Sequence, residues 1–392
     1  MENIENKIPN GENQDTQNSS FFSENVSSSN GLEPKIRFVN FKENYRPLKI
    51  GDIYAERSER GAENMELLSV TINEGVKKRM DIDGKDTSSE DKSNYKIVHT
   101  GDMVYNSMRM WQGANGISDY DGIVSPAYTV LKSKGNIHNQ YIGFLFKNSE
   151  LINKFRKNSQ GLTSDTWNLK YPQIACIKIN IPSLDEQQKI ADFLSLVDQR
   201  IEKQRQLVES LKKYKRGALS RVFNDVLETV KLSDISNFIS SARTLSTTLN
   251  GNKGIYPVYD AAGIAGYIDY YDIDSDYITI VKDGSGVGRL QKCDKKSSFI
   301  GTLGALVAKN CTTDFLYAVL QTIDFSKFVT GMAIPHIYYR DYKSTLLPFP
   351  SEEKQHFISQ LLKKFDIYIE NETQKLTNML AYKQGLLQQM FI

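Results

Sequence analysis

The sequence predicts an α+β protein in which two globular domains are joined by two long helices, and three observations lead to this class. A segment near the middle of the chain is repeated at its end, and both copies have the apolar spacing of a long helix. A strand-rich region with glycine turns precedes each copy. The chain has 392 residues, more than one hydrophobic core usually spans, so at least two domains are expected.

The repeat aligns residues 182–223 with residues 350–391 at a constant offset of 168 positions and without a gap. Identical residues occupy 14 of the 42 aligned positions, where chance would give only a few. Each copy opens with a proline and a serine, which predicts that a helix starts just after Ser183 and just after Ser351. The chain is therefore organised as a domain, a helix, a second domain and a second helix.

Both copies have apolar residues at steps of three, four or seven, the spacing of a helix that packs along a partner helix. These residues are Ile190, Leu194, Val197, Ile201, Val208, Leu211, Ala218 and Val222 in the first copy, and Ile358, Leu362, Phe365, Ile369, Leu376, Met379, Leu386 and Met390 in the second. Polar residues interrupt both stripes at matched positions, Gln204 with Glu372 and Lys215 with Lys383. Helices in an ordinary core would also have stripes, but the shared phase favours an antiparallel coiled coil with pseudo-twofold symmetry and one domain at each end.

Five segments follow from these patterns. We predict a disordered N-terminal tail over residues 1–31, a first domain over 32–181, a helix over 182–226, a second domain over 227–349 and a final helix over 350–392. The tail is polar and has almost no periodic apolar pattern. Within the domains we predict strands over Ile97–Tyr105, Tyr128–Leu131 and Tyr277–Lys282, turns at Gly101-Asp102 and Asn250-Gly251, and short helices over Tyr141–Phe155 and Phe315–Ile323.

Composition excludes several classes of protein. No run approaches the roughly 20 apolar residues of a membrane helix, and the N-terminus does not resemble a secretory signal, so we expect a cytoplasmic protein. Three scattered cysteines, Cys176, Cys293 and Cys311, form neither a disulfide framework nor a zinc motif. The net charge of +2 is small, so any nucleic-acid surface must come from local basic patches.

Motifs for catalysis are missing from the sequence. We find no phosphate-binding G-x-x-x-x-G-K-[ST] loop, and Gly284–Gly288 has the wrong spacing for a dinucleotide loop. The four histidines have no metal-ligand spacing, so no metal site is expected. The tetrapeptides Asn-Pro-Pro-Tyr and Asp-Pro-Pro-Tyr, expected in an amino-methyltransferase, are also absent. We therefore expect the chain to be inactive by itself.

Several tracts resemble one known family. Ile181–Gln188, its continuation to Asp198, and Tyr214-Lys-Arg-Gly217 resemble the central helical region of specificity subunits of Type I restriction-modification enzymes, and Tyr382–Phe391 resembles the distal counterpart. The looser matches are Leu48–Ile53, Leu232–Ile235, Tyr256–Tyr259, Gly263–Tyr267 and Lys282–Gly288, which are similar to the openings and glycine-containing stretches of target recognition domains. Two departures are Lys354, where the family has glutamate, and Tyr45, where tryptophan is common.

The resemblance implies a function. Each domain would read one half of a split site in double-stranded DNA, while the helices would set the gap and hold two methyltransferase (M) subunits. Restriction/translocase (R) subunits would join for cleavage. S-adenosylmethionine, ATP and Mg²⁺ would be used on those other subunits, with no cofactor in this chain.

Residues suited to DNA contact follow from this expectation, because phosphates attract Lys and Arg while base edges suit Arg, Asn, Gln and Ser. In the first domain we select Arg109 and Gln112 as base readers, together with Trp111 and Asn115, and Lys77, Lys78 and Arg79 for phosphates. In the second domain the candidates are Ser285, Arg289, Lys292, His336 and Arg340. The first domain leaves two alternatives open. The loop that contains Arg109 could be an exposed loop braced by a packed Trp111, and Lys77–Arg79 could be a charge run that only contacts solvent.

Two other classes of function stay open at this point. A coiled-coil adaptor would bind proteins with its globular ends, and the assembled complex would then lack salt-dependent DNA binding. A fused restriction-methylation enzyme is the other class, and the missing motifs argue against it.

Overall fold

A computed structural model of the chain describes residues 22–24, 33–61, 64–84, 86, 88–240, 249, 254–331 and 334–392. The chain divides into two compact units: the first is Met1–Lys203 with Leu376–Ile392, and the second is Gln204–Lys375. Each long helix therefore contributes one part to each unit. The boundaries expected at residues 181, 226 and 349 stay predictions. The turn predicted at Asn250-Gly251 lies outside the described residues.

The first unit is a strand-rich domain with short helices, packed on parts of two long ones. Its strands are β1 Phe22–Glu24, β2 Ile36–Phe38, β3 Arg46–Lys49, β4 Tyr54–Arg57, β5 Leu68–Thr71, β6 Gly75–Lys78, β7 Lys96–Val98, β8 Met103–Asn106, β9 Asn115–Ile117, β10 Gly122–Val124, β11 Tyr128–Ser133 and β12 Lys178–Ile181. Its helices are α1 Ile50–Ile53, α2 Asn139–Leu145, α3 Ser149–Asn158, α4 Tyr171–Ala175 and the start of α5 Leu184–Asn224.

The second unit continues α5 and builds a domain of the same kind. Its strands are β13 Thr229–Lys231, β14 Ser236–Ile239, β15 Tyr256–Asp260, β16 Gly263–Ile268, β17 Tyr277–Val281, β18 Leu290–Cys293, β19 Ser298–Phe299, β20 Leu303–Ala308 and β21 Leu346–Pro348. Its helices are α6 Leu232–Ile235, α7 Thr313–Leu320, α8 Tyr339–Tyr342 and the larger part of α9 Glu352–Gln389. The mixed α+β class predicted from the sequence is confirmed.

The central sheets of the two domains have the same topology. The first has the strand order β4-β11-β8-β9 and the second β14-β20-β17-β18, with every neighbouring pair antiparallel. In each domain the entering and leaving strands also pair with one another, β3 with β12 and β13 with β21. The second copy of the helix thus follows a second copy of the same domain, which extends the repeat beyond the segment visible in the sequence.

The long helices begin in the same way in both copies. The side-chain amide of Gln187 donates to the carbonyl of Pro182, and that of Gln355 donates to the carbonyl of Pro350, each at 2.9 Å. These two glutamines are buried, and they stand at the same position of the repeat. Each glutamine therefore joins the first turn of its helix to the proline that precedes the helix.

Helices α5 and α9 pack antiparallel within each unit. In the first unit Asp198 of α5 pairs with Lys383 of α9 at 2.5 Å, and in the second unit Lys215 pairs with Asp366, also at 2.5 Å. Each of these pairs is the repeat equivalent of the other, at the offset of 168 positions. The residue numbers fall on α9 as they rise on α5, so the predicted antiparallel pairing of the two helices is confirmed.

The polar interruption of the stripes makes a specific contact. The side-chain amide of Gln204 donates to the Glu372 carboxylate at 2.7 Å and to the Glu372 carbonyl at 2.9 Å. Glu372 is buried, and Lys375 and Gln204 lower the pKa of its carboxyl group. Because Gln204 and Glu372 are equivalent positions of the repeat, each helix meets its partner at its own counterpart. A polar pair at such a seam fixes the register of two helices.

Part of the predicted tail is ordered, which corrects the assignment of residues 1–31. Phe22–Glu24 form β1, which pairs antiparallel with β2. The ring of Phe22 lies 4.7 Å from that of Phe38 and 5.3 Å from that of Phe193 on α5. The sequence does not predict this strand, because the adjacent residues Phe21 and Phe22 are not followed by an alternation of apolar and polar residues.

Two predicted elements are each divided in the structure. The run Ile97–Tyr105 is two strands, β7 and β8, because the chain turns at Gly101, whose φ is +89°. The helix predicted over Tyr141–Phe155 is α2 and α3. The Asn148 side chain caps α3 by accepting from the amides of Glu150 and Leu151 at 2.9 and 3.2 Å.

Candidate nucleic-acid interface

The main candidate surface of the first domain is the loop between β8 and β9, residues 107–114. Met110–Gln112 form one 3₁₀ turn, which Gly113 ends in the left-handed conformation with φ +85°. The Arg109 side chain is 43% exposed, and its nearest acid is Asp165 at 3.9 Å, an ion pair too open to hold it firmly. Gln112 is exposed. Both selected base readers therefore reach solvent from a short, well-defined turn.

Trp111 packs against its surroundings and braces the β8–β9 loop, as in the alternative to direct DNA contact. Its indole nitrogen donates to the carbonyl of Met108 at 3.2 Å, and its ring meets that of Trp167 edge to face at 5.3 Å. The Arg156 guanidinium lies 5.7 Å from the centre of the Trp167 ring. The tryptophan pair thus joins the β8–β9 loop to residues 159–170.

Asn115 was selected as a DNA contact, and the structure corrects this. Asn115 is 0% exposed. Its amide nitrogen donates to the carbonyls of Gly113 and Phe146 at 3.2 and 3.3 Å. As the first residue of β9, it turns inward and braces the loop from below, so it cannot meet a base edge in this structure.

The basic run at the end of the β5–β6 hairpin contains two kinds of residue. Lys77 and Lys78 are more than a third exposed, 3.7 Å from Glu74 and 3.6 Å from Glu66 respectively, which are weak surface pairs. Arg79 instead donates to the carbonyls of Ile82 and Gly84 at 2.8 and 3.0 Å, and its side chain is only 19% exposed. Its guanidinium holds the following loop together, and its role as a phosphate contact stays a prediction.

The second domain presents the equivalent loop between β17 and β18, residues 282–289. Ser285 and Arg289 are exposed there. The amide of Ile337 donates to the carbonyl of Lys282 at 3.0 Å, and the amide of Gly284 donates to that of Pro335 at 2.9 Å. Residues 335–337 therefore lie against this loop, as residues 159–170 do in the first domain.

His336 and Arg340 belong to the same surface. The rings of His336 and Tyr338 meet at 4.9 Å, and the Arg340 guanidinium lies 4.6 Å from the centre of the Tyr338 ring. The Arg340 side chain is 75% exposed. Tyr338 was missed by the sequence analysis, and so was Arg156 in the first domain. In both cases an arginine lies over an aromatic ring, exposed Tyr338 or half-buried Trp167, and the linear sequence does not reveal such a contact.

Lys292 is separated from the other candidates of the second domain. Its ammonium group pairs with Asp314 at the start of α7 and lies 5.5 Å from the centre of the Tyr317 ring. These contacts turn Lys292 away from the β17–β18 loop and towards α7, so the structure groups it with the helix.

Lys147 lies near the β8–β9 loop and has a clearly lowered pKa. Burial lowers the pKa of its ammonium group to about 7, and the charge of Lys383 lowers it further in the same direction. The Nζ atom donates to the carbonyls of Ile72 and Gly113 at 2.9 and 2.7 Å. Lys147 therefore lies beneath the β8–β9 loop, where it contacts two loops at once.

Within the described residues, no group of three or more His, Cys, Asp or Glu side chains is arranged to hold a metal ion. Burial raises the pKa of the Cys293 and Cys311 thiols to about 11, which makes both poor nucleophiles. No helix in the described ranges is long and apolar enough to cross a membrane. The exposed loops offer cations, amides and aromatic rings, which are groups for contact with a polyanion.

Comparison with known proteins decides the family. The sequence profile of the Type I restriction modification DNA specificity domain matches twice, over residues 48–213 and 224–380. The chain belongs to this family. Each match covers one globular domain and most of the helix that follows it, so the family unit coincides with the repeat. Members of the family are specificity subunits, which are non-catalytic.

Individual specificity subunits are similar over part of their length. A putative type I specificity subunit of Mycoplasma pneumoniae, S.MpnORF285P, is 29% identical over 151 residues, which are 36% of this chain and 49% of that protein. The EcoprrI specificity subunit of Escherichia coli is 27% identical over 115 residues, 29% of this chain and 28% of that one. The matches thus span half or less of these relatives.

Solved structures support the fold. The S subunit of a Type-I restriction-modification system from M. genitalium has a TM-score of 0.54 at 16% identity, covering 92% of this chain and 99% of that one. A chain from a structural study of complex assembly and conformational transition of the type I R-M system also has a TM-score of 0.54, at 15% identity, covering 88% and 96%. At these identities the likeness establishes the specificity-subunit fold alone.

Proposed function

We propose that this specificity subunit reads a bipartite DNA site, one half with each domain. The observation that supports this most directly is the duplication: one family unit occurs twice, with the same sheet order and an equivalent loop after the same strand in each copy. The β8–β9 loop presents Arg109 and Gln112, and the β17–β18 surface presents Ser285 and Arg340. Two copies of one reading unit suit two half-sites.

The helices would set the distance between the half-sites. Helix α5 has 41 residues, which corresponds to about 60 Å at 1.5 Å per residue. One turn of duplex DNA spans about 34–36 Å, so readers attached to such helices would meet separate segments of a duplex. The part-buried Gln204–Glu372 pair fixes the register of the helices and so would keep that distance constant.

Catalysis would reside on other subunits. We infer that two methyltransferase subunits dock on this chain, and that restriction/translocase subunits join them. S-adenosylmethionine, ATP and Mg²⁺ would bind to those partners. The helices present repeat-equivalent exposed residues, Tyr214 at 67% and Tyr382 at 57% exposure, which suits two copies of one partner.

Exchange of the first domain tests the bipartite reading. Residues 32–181 are replaced by the first domain of another family member, and the methylated sites in the host genome are sequenced. We expect one half of the site to change while the other half and the gap stay the same. If both halves change together, or if methylation does not depend on this chain, the proposal is wrong.

Arg109→Ala tests the base reader within the first domain. The variant is expected to lose about 1–3 kcal/mol of discrimination at one base pair, the value of a bidentate contact to guanine. Lys78→Ala should instead weaken binding to all duplexes alike and flatten the dependence on salt. The measurement is binding of the assembled methyltransferase to cognate and single-mismatch duplexes at two salt concentrations. Asp165→Ala, a change beside Arg109, is the control and should keep discrimination. Equal losses on every duplex would remove Arg109 as a base reader.

A further inference from the structure

Lys147 connects two exposed parts of the first domain from beneath. Its Nζ atom donates to the carbonyl of Ile72 at 2.9 Å and to the carbonyl of Gly113 at 2.7 Å. Ile72 lies in the turn between β5 and β6, and Gly113 ends the turn that presents Arg109 and Gln112. The half-buried amine of Lys147 therefore holds the β5–β6 hairpin and the β8–β9 loop, the reading loop of this domain, together.

Carbonyl groups in turns have few partners of their own, because they lie outside the regular pairing of a sheet. The amine of a lysine side chain carries several N–H donors, so one lysine can hold two such carbonyls at once. The Gly113 carbonyl also accepts from the Asn115 side chain at 3.2 Å and from the Asn115 backbone amide at 2.9 Å, so Lys147 is one of three donors that fix it. The hairpin itself approaches β9 closely, since a Cβ on Gly116 would lie 2.8 Å from the Cα of Gly75. Small displacements of the hairpin and the loop are therefore coupled.

The second domain makes the corresponding connection with a different residue. The Arg289 guanidinium donates to the carbonyl of Ala261 at 2.6 Å. Ala261 lies in the turn between β15 and β16, and Arg289 lies on the β17–β18 loop. Each domain thus has one basic side chain that joins a hairpin turn to a loop. In the first domain it joins the β5–β6 turn to the β8–β9 loop, and in the second it joins the β15–β16 turn to the β17–β18 loop.

We propose that Lys147 and Arg289 are positioning residues, each of which fixes the hairpin of its domain against the reading loop and thereby sets the discrimination of one half-site. This rests on the proposed function. Lys147 contacts no base in this role, because its donors point to backbone carbonyls beneath the loop. Arg289, selected from the sequence as a DNA contact, acts through the Ala261 carbonyl instead.

The test uses Lys147→Met and Arg289→Met in the assembled methyltransferase complex, with cognate duplexes and duplexes mismatched in one half-site. Lys147→Met is expected to lower the ratio of cognate to mismatch binding about tenfold in one half-site only, the scale of one lost base contact. Arg289→Met should do the same in the other half-site, so each variant is the control for the other. The salt dependence of binding should stay as in the wild type, because no phosphate contact is removed.

Two further variants separate positioning from loss of structure. Lys147→Arg keeps donors for both carbonyls and is expected to restore wild-type discrimination. Lys154→Met, a change at an exposed lysine of the same domain, should have no effect. Hydrogen exchange at residues 72–75 and 113–116 should quicken in Lys147→Met while the central sheet stays protected.

The outcomes distinguish the two proposals. Wild-type discrimination in Lys147→Met, or a flattened salt dependence in either methionine variant, would overturn the positioning role and leave the proposed function intact. If Lys147→Met does not fold, loss of discrimination in Lys147→Arg would overturn it. A wild-type complex that does not distinguish any of the duplexes would overturn the proposed function and this inference together.

Discussion

Glu186→Gln is expected to lower the free energy of unfolding of the first unit by about 3–5 kcal/mol, the usual cost of breaking a buried ion pair. The Glu186 carboxylate accepts from the Arg37 guanidinium at 2.8 and 2.7 Å, and the two side chains are 0% and 4% exposed. The Tyr45 hydroxyl donates to the same carboxylate at 3.3 Å. Glutamine would keep the shape of the side chain but leave the Arg37 charge buried without its counter-ion.

The two tryptophans make this effect measurable, because Trp111 and Trp167 both belong to the first unit. Their fluorescence during denaturant unfolding reports on that unit. Asp185→Asn, a change at the exposed neighbouring acid, is the matched control and should alter stability by less than about 0.5 kcal/mol. The double variant Arg37→Met with Glu186→Leu removes both charges and should recover most of the loss. A single-variant effect no larger than that of the control would show that the pair adds nothing to stability.

The same ion pair explains a departure noted in the sequence. The second copy of the repeat has Lys354 at the position of Glu186. Arg37 lies on β2, ahead of β3, in the opening segment of the first domain. Only residues 225–228 separate α5 from β13, the counterpart of β3, so the second domain has no room for such a segment. Without an arginine from that direction, a buried glutamate would be costly at this position.

The helical part of the fold could be predicted because its information is local and duplicated. Stripes at helical spacing, matched in phase and interrupted at Gln204 and Glu372, predict two helices that pair antiparallel. The strand order could not be predicted in the same way. Pairing of β11 with both β4 and β8 joins residues far apart in sequence, and turn residues do not specify which distant strand becomes a neighbour.

The candidate site was predicted by composition, and composition does not reveal which way a side chain points. Arg109 and Asn115 come from the same ten residues, yet the side chain of Arg109 is 43% exposed and Asn115 is 0% exposed. The alternation along β9 turns Asn115 inward, and that strand was not predicted. Lys147 had no sequence signal, because its role depends on two turns brought together by the sheet.

Leu194→Ala is expected to lower the free energy of unfolding of the first unit by about 2–5 kcal/mol, whereas Leu196→Ala should lower it by less than about 0.5 kcal/mol. Both residues lie on α5, two positions apart, and have the same side chain. Leu194 is 0% exposed within the hydrophobic core that α5 and the end of α9 share with the first domain, and Leu196 is 59% exposed. Truncation of Leu194 therefore leaves a cavity between helix and domain, while truncation of Leu196 removes only surface.

Tryptophan fluorescence during denaturant unfolding compares the two variants within the same unit. If they lose similar stability, the apolar stripe of α5 does not attach the helix to the first domain. The expected difference, by contrast, would show that Leu194 anchors α5 in the core of that domain. The bipartite reading proposed above needs such an anchor, because a mobile joint between domain and helix would let the gap vary.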